Sequence, residues 1–339
     1  MKNKFMKMLA LSLAVVMCAV LFAACGSNPQ PQGTPSADDV TAKDADVINV
    51  AVIQGPTGVG MANLMEKDAN GASEYDYNFK LLTGPEQTTA LLGTGEVDIA
   101  AMPTNLAANF NAKGGDITVL AVNTLGVLYI ADTTGQVTDI QSLRGKTIYS
   151  TGKGSNPEFV LDYVLSKNGI DPDKDVNIVF LGENTELSQK MVSGEIEIAL
   201  VPEPLLSTIC SANANVKVPL SMTDEWTKAG GDGELMMGCV AVRNEFLKKS
   251  PNAVASFLKE YEASIKGCED IDATAALCVK YKIIPKEGVA KKALPRCNVT
   301  FVSGNDMKTR LSGYLGVLYA ANPKSIGEKM PDDTFYYTK

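Results

Sequence analysis

The 339-residue chain contains no histidine. That absence excludes Ser-His-Asp and Cys-His catalysis, histidine general-base chemistry, and zinc or iron held by imidazole. Carboxylate, lysine and tyrosine chemistry stay open. Basic runs are missing too. The formal charge is −8, and residues 1–24 carry only Lys2, Lys4 and Lys7, so without those three positive charges the remainder stands at −11. So acidic a chain is not expected to bind nucleic acid, and its charge reads first as solubility. No pair of cysteines has the C-x-x-C spacing of a zinc knuckle or redox couple, and no metal or cofactor is expected. After Cys25 come Cys210, Cys239, Cys268, Cys278 and Cys297. Five is odd, so at least one is unpaired or pairs between chains; a single disulfide stays open, without assignable partners. Cys210 lies in an apolar helical stretch and reads as packing.

What is present is a globular composition, 45% hydrophobic and 21% charged, long enough for two domains or one bilobed unit. Residues 1–24 read as a signal peptide: three lysines, an apolar run from Met8 to Ala24 broken only by Ser12, and a small end at Ala23-Ala24. The run is shorter than the ~20 residues a spanning helix usually needs. Leu21-Phe22-Ala23-Ala24-Cys25-Gly26-Ser27 resembles a bacterial lipobox, with Phe22 where that pattern favours leucine. The resemblance implies a diacylglycerol thioether on Cys25. The following stretch, up to residue 46, is rich in Pro, Gln, Ser, Thr and Asp and reads as a flexible tether.

From residue 47 short apolar strands alternate with helices, the pattern of parallel α/β sheets. Strands are expected at Val47–Ile53, Phe79–Leu82, Val97–Met102 and Ile117–Val122, then again at Lys146–Tyr149, Asn177–Leu181 and Ile196–Val201. The second series carries a direct repeat of the first. Gly95-Glu96-Val97-Asp98-Ile99-Ala100-Ala101-Met102-Pro103 matches Gly194-Glu195-Ile196-Glu197-Ile198-Ala199-Leu200-Val201-Pro202 at an offset of 99 residues. Two lobes of similar topology follow from it. A strand over Glu234–Arg243 and a helical tail complete the chain. The expected organisation is a first lobe from 47–126 and 243–339, and a second lobe from 127–242. Val127–Ala131 and Met236–Val242 are the expected crossings, and two crossings make a hinge.

These residues resemble the nitrate/sulfonate/taurine class of ABC transporter substrate-binding proteins. The resemblance rests on Gly55-Pro56-Thr57-Gly58, Gly95 to Ala100 with Pro103-Thr104-Asn105, Leu143 to Ile148, Pro202-Glu203-Pro204, and Asp332 to Tyr337. It covers residues 47–339. It implies an α/β, two-lobed periplasmic-binding-protein fold of type II, with a ligand cleft between the lobes. It also implies a monomer that carries a small-molecule solute to an ABC permease and its ATPase, touching the membrane through its lipid anchor alone.

In open α/β sheets ligands gather beyond the carboxyl ends of the strands. The candidate ligand-binding residues there are Gln54, Gly55, Pro56, Thr57, Gly58, Glu86, Thr104 and Asn105 in the first lobe, and Gly152, Ser155, Asn156, Glu183 and Glu203 in the second. Simple turn and cap chemistry competes with ligand binding at each of them. The loops Gly55–Gly60 and Gly152–Asn156 precede helices, so their backbone amides could meet an anion or carbonyl. They are not nucleotide loops: Asn63 stands where G-x-G-x-x-G needs its third glycine, and Ile140 where a Walker loop needs its first. Lys153 is the one cation in these loops, against Glu86, Glu183 and Glu203, a balance that favours a solute with an amine or N–H donors over a bare anion. Glu203, between two prolines at a helix start, also reads as a helix cap. The rival reading is an extracellular enzyme using the same glutamates as paired carboxylates. No nucleophile with an adjacent base accompanies them, and no catalytic residue is assigned.

Overall fold

The computed structural model describes residues 43–230 and 234–339. The leader, Cys25 and most of the tether expected from the sequence lie outside the described residues. Eleven strands run through the described chain: β1 (Val47–Ile53), β2 (Asp76–Leu82), β3 (Ile99–Pro103), β4 (Ile117–Thr124), β5 (Leu128–Asp132), β6 (Thr147–Ser150), β7 (Asn177–Phe180), β8 (Ile198–Pro202), β9 (Lys217–Ser221), β10 (Gly238–Arg243) and β11 (Val299–Ser303). They form two sheets, ordered β11-β4-β10-β3-β1-β2 and β7-β6-β8-β5-β9. Each sheet with its helices is one lobe.

The two orders are one plan. Starting from β2 or β7, each sheet runs through its first strand, then the strand of the 99-residue repeat, then a strand that has crossed from the other lobe, then a further strand. The repeat copies fold alike. Gly95 and Gly194 end their helices in the left-handed region, at φ 75° and 82°, where glycine carries no Cβ penalty. Val97 and Ile196 are buried, and β3 and β8 share one burial pattern. Even the exits match: the N–H of Thr104 donates to Met237 O, and the N–H of Glu203 to Val127 O. Each acceptor immediately precedes a crossing strand.

The sheets are mixed, not purely parallel. β5 runs antiparallel to β8 and β9, and β10 antiparallel to β3 and β4. The reason is the route of the chain. Leu128 lies opposite Pro202, and Gly238 opposite Pro103 and Thr124, so each crossing strand starts beside the carboxyl ends of its neighbours. A strand entered from that edge must run away from it. β11 begins beside Thr124 and is antiparallel for the same reason. β10 starts at Gly238, leaving Leu235–Met237 as connection where a longer strand was expected. The edge strand β9 was not expected, because Pro219 interrupts its pattern; an edge tolerates the missing N–H.

Alternation along β1 divides the first lobe's core. Ile48, Val50 and Val52 pack with the helices Ala62–Ala69 and Pro251–Gly267 on one face, while Ala51 and Ile53 join the opposite face. That second core continues into the other lobe through Phe159, Tyr163, Trp226 and Tyr314. Ring centroids lie 4.3 Å apart for Tyr163–Trp226 and 5.6 Å apart for Trp226–Tyr314. The lobes therefore share an apolar seam along the helices Asn156–Lys167 and Gly304–Ala321. The five cysteines after Cys25 are all free. Burial raises the Cys278 thiol to about 12, and the Cys268 thiol to about 11, with hydrogen bonds from Thr274 and Asn63 acting in the opposite direction.

Candidate ligand cleft

The two lobes approach each other at the loops after β1 and β8, and at the starts of the helices after β3 and β6, which share Met237 O. One approach of the lobes is at the β1 and β8 loops: a Cβ placed on Gly55 would lie 3.8 Å from Cδ of Pro204. A second meeting point is the buried connection before β10. Met237 O accepts from Thr104 N at 3.1 Å and from Asn156 Nδ2 at 3.4 Å, and Met236 O accepts from Thr104 Oγ1 at 2.5 Å. The structure thus brings together Gly55, Thr104, Asn156 and the Glu203–Pro204 turn. Thr151 Oγ1 donates to Asn184 Oδ1 at 2.7 Å inside the second lobe.

Many of the sequence-derived candidates prove to be engaged with the protein itself. Gln54 Nε2 donates to Lys282 O at 3.1 Å, and Gly55 N–H to Ile283 O at 3.1 Å. Pro56 opens the short helix Pro56–Val59, and Thr57 O accepts from Asn123 Nδ2 at 3.1 Å. Gly58 is required for packing: a Cβ there would sit 2.1 Å from Ile53 O. In the second lobe Gly152 O accepts from Ser155 N at 3.1 Å and from Ser155 Oγ at 2.6 Å. Gly154 N–H donates to the Glu158 carboxylate. The amides of Gly55 and Gly154 that the sequence offered to an anion are therefore spent. Glu86 and Glu183 are exposed at the starts of the helices Glu86–Thr94 and Asn184–Ser193.

Glu203 is 1% exposed, and its carboxylate accepts from Ser207 N at 3.1 Å and Ser207 Oγ at 3.0 Å. It caps the helix Leu205–Ala212, the alternative already visible in the sequence. Arg296, from the other lobe, stands 3.6 Å from Glu203 Oε1. Burial raises the Glu203 carboxyl above its ordinary range, while the Ser207 bonds and Arg296 pull it back. Burial likewise pushes the Tyr129 hydroxyl, which donates to Arg296 O at 3.2 Å, up to about 12. Arg296, Met237 and Ile283 were not found from the sequence. Met237 and Ile283 come from irregular connections and Arg296 from the single short turn Leu294–Arg296, none long enough to show a periodicity. Asn105 is different from its neighbours: it is 6% exposed, and its Oδ1 has no hydrogen-bond partner.

The NMT1/THI5 like family model matches residues 76–271, more than half of the chain. The chain belongs to that family. Among individual relatives of this NMT1/THI5-like chain, a protein named "Putative binding protein YtlA" from Bacillus subtilis (strain 168) is 26% identical over 180 residues, 52% of each chain. The match thus spans about half the length of that curated relative. The crystal structure of an ABC transporter from Parabacteroides distasonis superposes with a TM-score of 0.73 at 22% identity, covering 87% of this chain and all of that one. The periplasmic aliphatic sulphonate binding protein SsuA from Escherichia coli gives 0.70 at 14% identity, covering 87% and 92%. The fold is that of the periplasmic binding proteins.

Proposed function

We propose that this NMT1/THI5-like chain is the extracytoplasmic solute-binding component of an ABC importer. It captures a small organic solute between its lobes, closes over it and presents it to a permease served by an ATPase. The observation that carries the reading is the repeated sheet plan, in which two lobes turn their strand carboxyl ends toward each other across two crossings. Such an edge is where α/β sheets hold ligands, and paired crossings allow hinge closure. The names of the Parabacteroides and Escherichia neighbours point the same way. Of the three glutamates the enzyme reading would use, Glu203 is committed to Ser207, which counts against that reading. Cys25 is the proposed lipid attachment site, with the acidic stretch after it as tether. A monomer suffices for this task.

The test is native mass spectrometry of the protein purified from its host, followed by small-angle scattering before and after stripping any co-purified compound. A small organic adduct, and a smaller radius of gyration with it than without it, support the reading. A chain that carries no small molecule and is not stabilised by any member of a metabolite library sinks it, since a ligand at a hundredfold excess over Kd adds about 2.7 kcal/mol.

A further inference from the structure

A groove of about 510 Å³ runs between the flank of the second lobe and the tail of the first. One wall comes from the helix Leu205–Ala212 and the edge strand β9 with its approach, which offer Cys210, Val216 and Val218. The other comes from the helix Glu287–Ala293 and the turn after it, which offer Lys291, Lys292, Pro295 and Arg296. None of the ligand-binding candidates drawn from the sequence lines it, so it is a separate place from the cleft loops. Three of its lining residues are cations and none is an acid, in a chain whose formal charge is −8.

The three cations differ in what already answers them. Lys291 is held by Asp272 at 2.8 Å and Glu287 at 3.0 Å. Lys292 meets no carboxylate among the described residues; its ammonium donates to Ser211 Oγ of the second lobe at 3.2 Å. Arg296 stands 3.6 Å from Glu203 Oε1, within ion-pair reach but too far for a hydrogen bond, and among the described residues its guanidinium makes none. Its side chain stays 44% exposed, while Glu203 is buried and does not line the groove. Lys292 and Arg296 both act on the Cys210 thiol: burial raises it, and these two cations pull it back. An oxyanion lying there would take parallel N–H bonds from the guanidinium fork and charge from the ammonium, the arrangement that carboxylate and phosphate match. Apolar surface lies beside the charges, on Val216, Val218 and Pro295, and covering it is favourable. We propose that this groove is a second binding site, for a small organic carboxylate or phosphate whose charged head sits between Lys292 and Arg296 and whose apolar body covers Val216, Val218 and Pro295. The occupant touches both lobes. The site does not depend on the solute-binding reading above, which the adduct and scattering experiment decides separately.

Cys210 is a built-in reporter, since it lines the groove and is only half-buried. The full chain is labelled with N-ethylmaleimide, and the rate at Cys210 is read by peptide mass spectrometry at constant ionic strength. The additions are phenyl phosphate, benzoate, inorganic phosphate and neutral benzyl alcohol. Phenyl phosphate or benzoate should slow labelling of Cys210 severalfold, inorganic phosphate should do so less, and benzyl alcohol should not. Calorimetry of the same compounds with unlabelled protein gives the affinity. The double variant Lys292→Gln, Arg296→Gln should lose the protection and lower the affinity at least tenfold, and Arg296→Lys, which keeps the charge without the fork, should fall between. Thermal melts of the variants confirm that they fold; if the double variant does not, Lys292→Gln alone carries the test, because Lys292 is exposed. Equal protection in wild type and the double variant overturns the proposal, as does the absence of both protection and binding heat with phenyl phosphate and benzoate. Protection by inorganic phosphate as strong as by phenyl phosphate overturns the organic class. Protection by phosphatidylglycerol vesicles, with none by phenyl phosphate, overturns the soluble ligand and places a lipid headgroup in the groove.

Discussion

The Tyr314 hydroxyl of the first lobe donates to Asn156 Oδ1 of the second at 3.2 Å, and the same carboxamide donates through Nδ2 to Met237 O at 3.4 Å. Asn156 is 4% exposed. One side chain therefore links a helix of each lobe to the second crossing. Asn156→Ala should strand the buried Tyr314 hydroxyl and leave Met237 O with Thr104 N–H alone, lowering stability by about 1–3 kcal/mol. Tyr314→Phe removes only the donor and should cost less, about 0.5–1.5 kcal/mol. Chemical denaturation of the two single variants and the double variant measures their coupling. Strict additivity would show that the two groups do not act together.

Glu203 gives a pH signature with a definite sign. Its folded carboxyl titrates above the ordinary range because of burial, so between the unfolded and folded values the native state holds a proton that the unfolded chain releases. Its contribution is complete at pH values below the ordinary carboxylate range and is lost as pH rises through the folded value. Glu203→Gln keeps an acceptor for the Ser207 N–H and cannot ionise. Wild type should therefore lose stability relative to this variant as pH is raised from about 4.5, a carboxylate's usual midpoint. Urea midpoints at intervals from pH 4 to 8 check this; a constant difference would remove Glu203 as the titrating group.

The sheet plan was legible because its signals are local. β1 is a run of branched residues, and the 99-residue repeat preserves a helix-ending glycine, a buried strand and a terminal proline. Strand direction was not legible, since the reversal of β5 and β10 depends on which edge the chain enters from. The candidate site was legible as a region but not by role. Gly58 looked like a loop residue open to a ligand, and only the packed backbone shows Ile53 O in the way. Asn156 looked like a helix-start ligand contact, and its partners Met237 and Tyr314 lie 81 and 158 residues away. No local pattern reports bonds of that range.

The proposed anchor rests on Cys25 alone. Cys25→Ala should abolish incorporation of a labelled fatty acid in a bacterial host and leave the protein unlipidated. Label retained at the wild-type level in the variant would place any acyl chain elsewhere.

Gly58→Ala tests whether the β1 loop is shaped by packing or by a ligand. The added methyl would lie 2.1 Å from Ile53 O and 3.1 Å from Val52 Cγ1, and the nearer atom is backbone at the end of β1. Overpacking usually costs about 1–3 kcal/mol, and a backbone obstacle that cannot change rotamer places this case at the upper end or beyond. Gly288, in the helix Glu287–Ala293, has nothing within 4 Å of the equivalent position. Gly288→Ala should be neutral or stabilise by up to about 1 kcal/mol, because alanine forms helix more readily. Denaturation of both variants without solute makes the comparison. A Gly58→Ala protein as stable as wild type that had lost solute binding would return this glycine to the ligand.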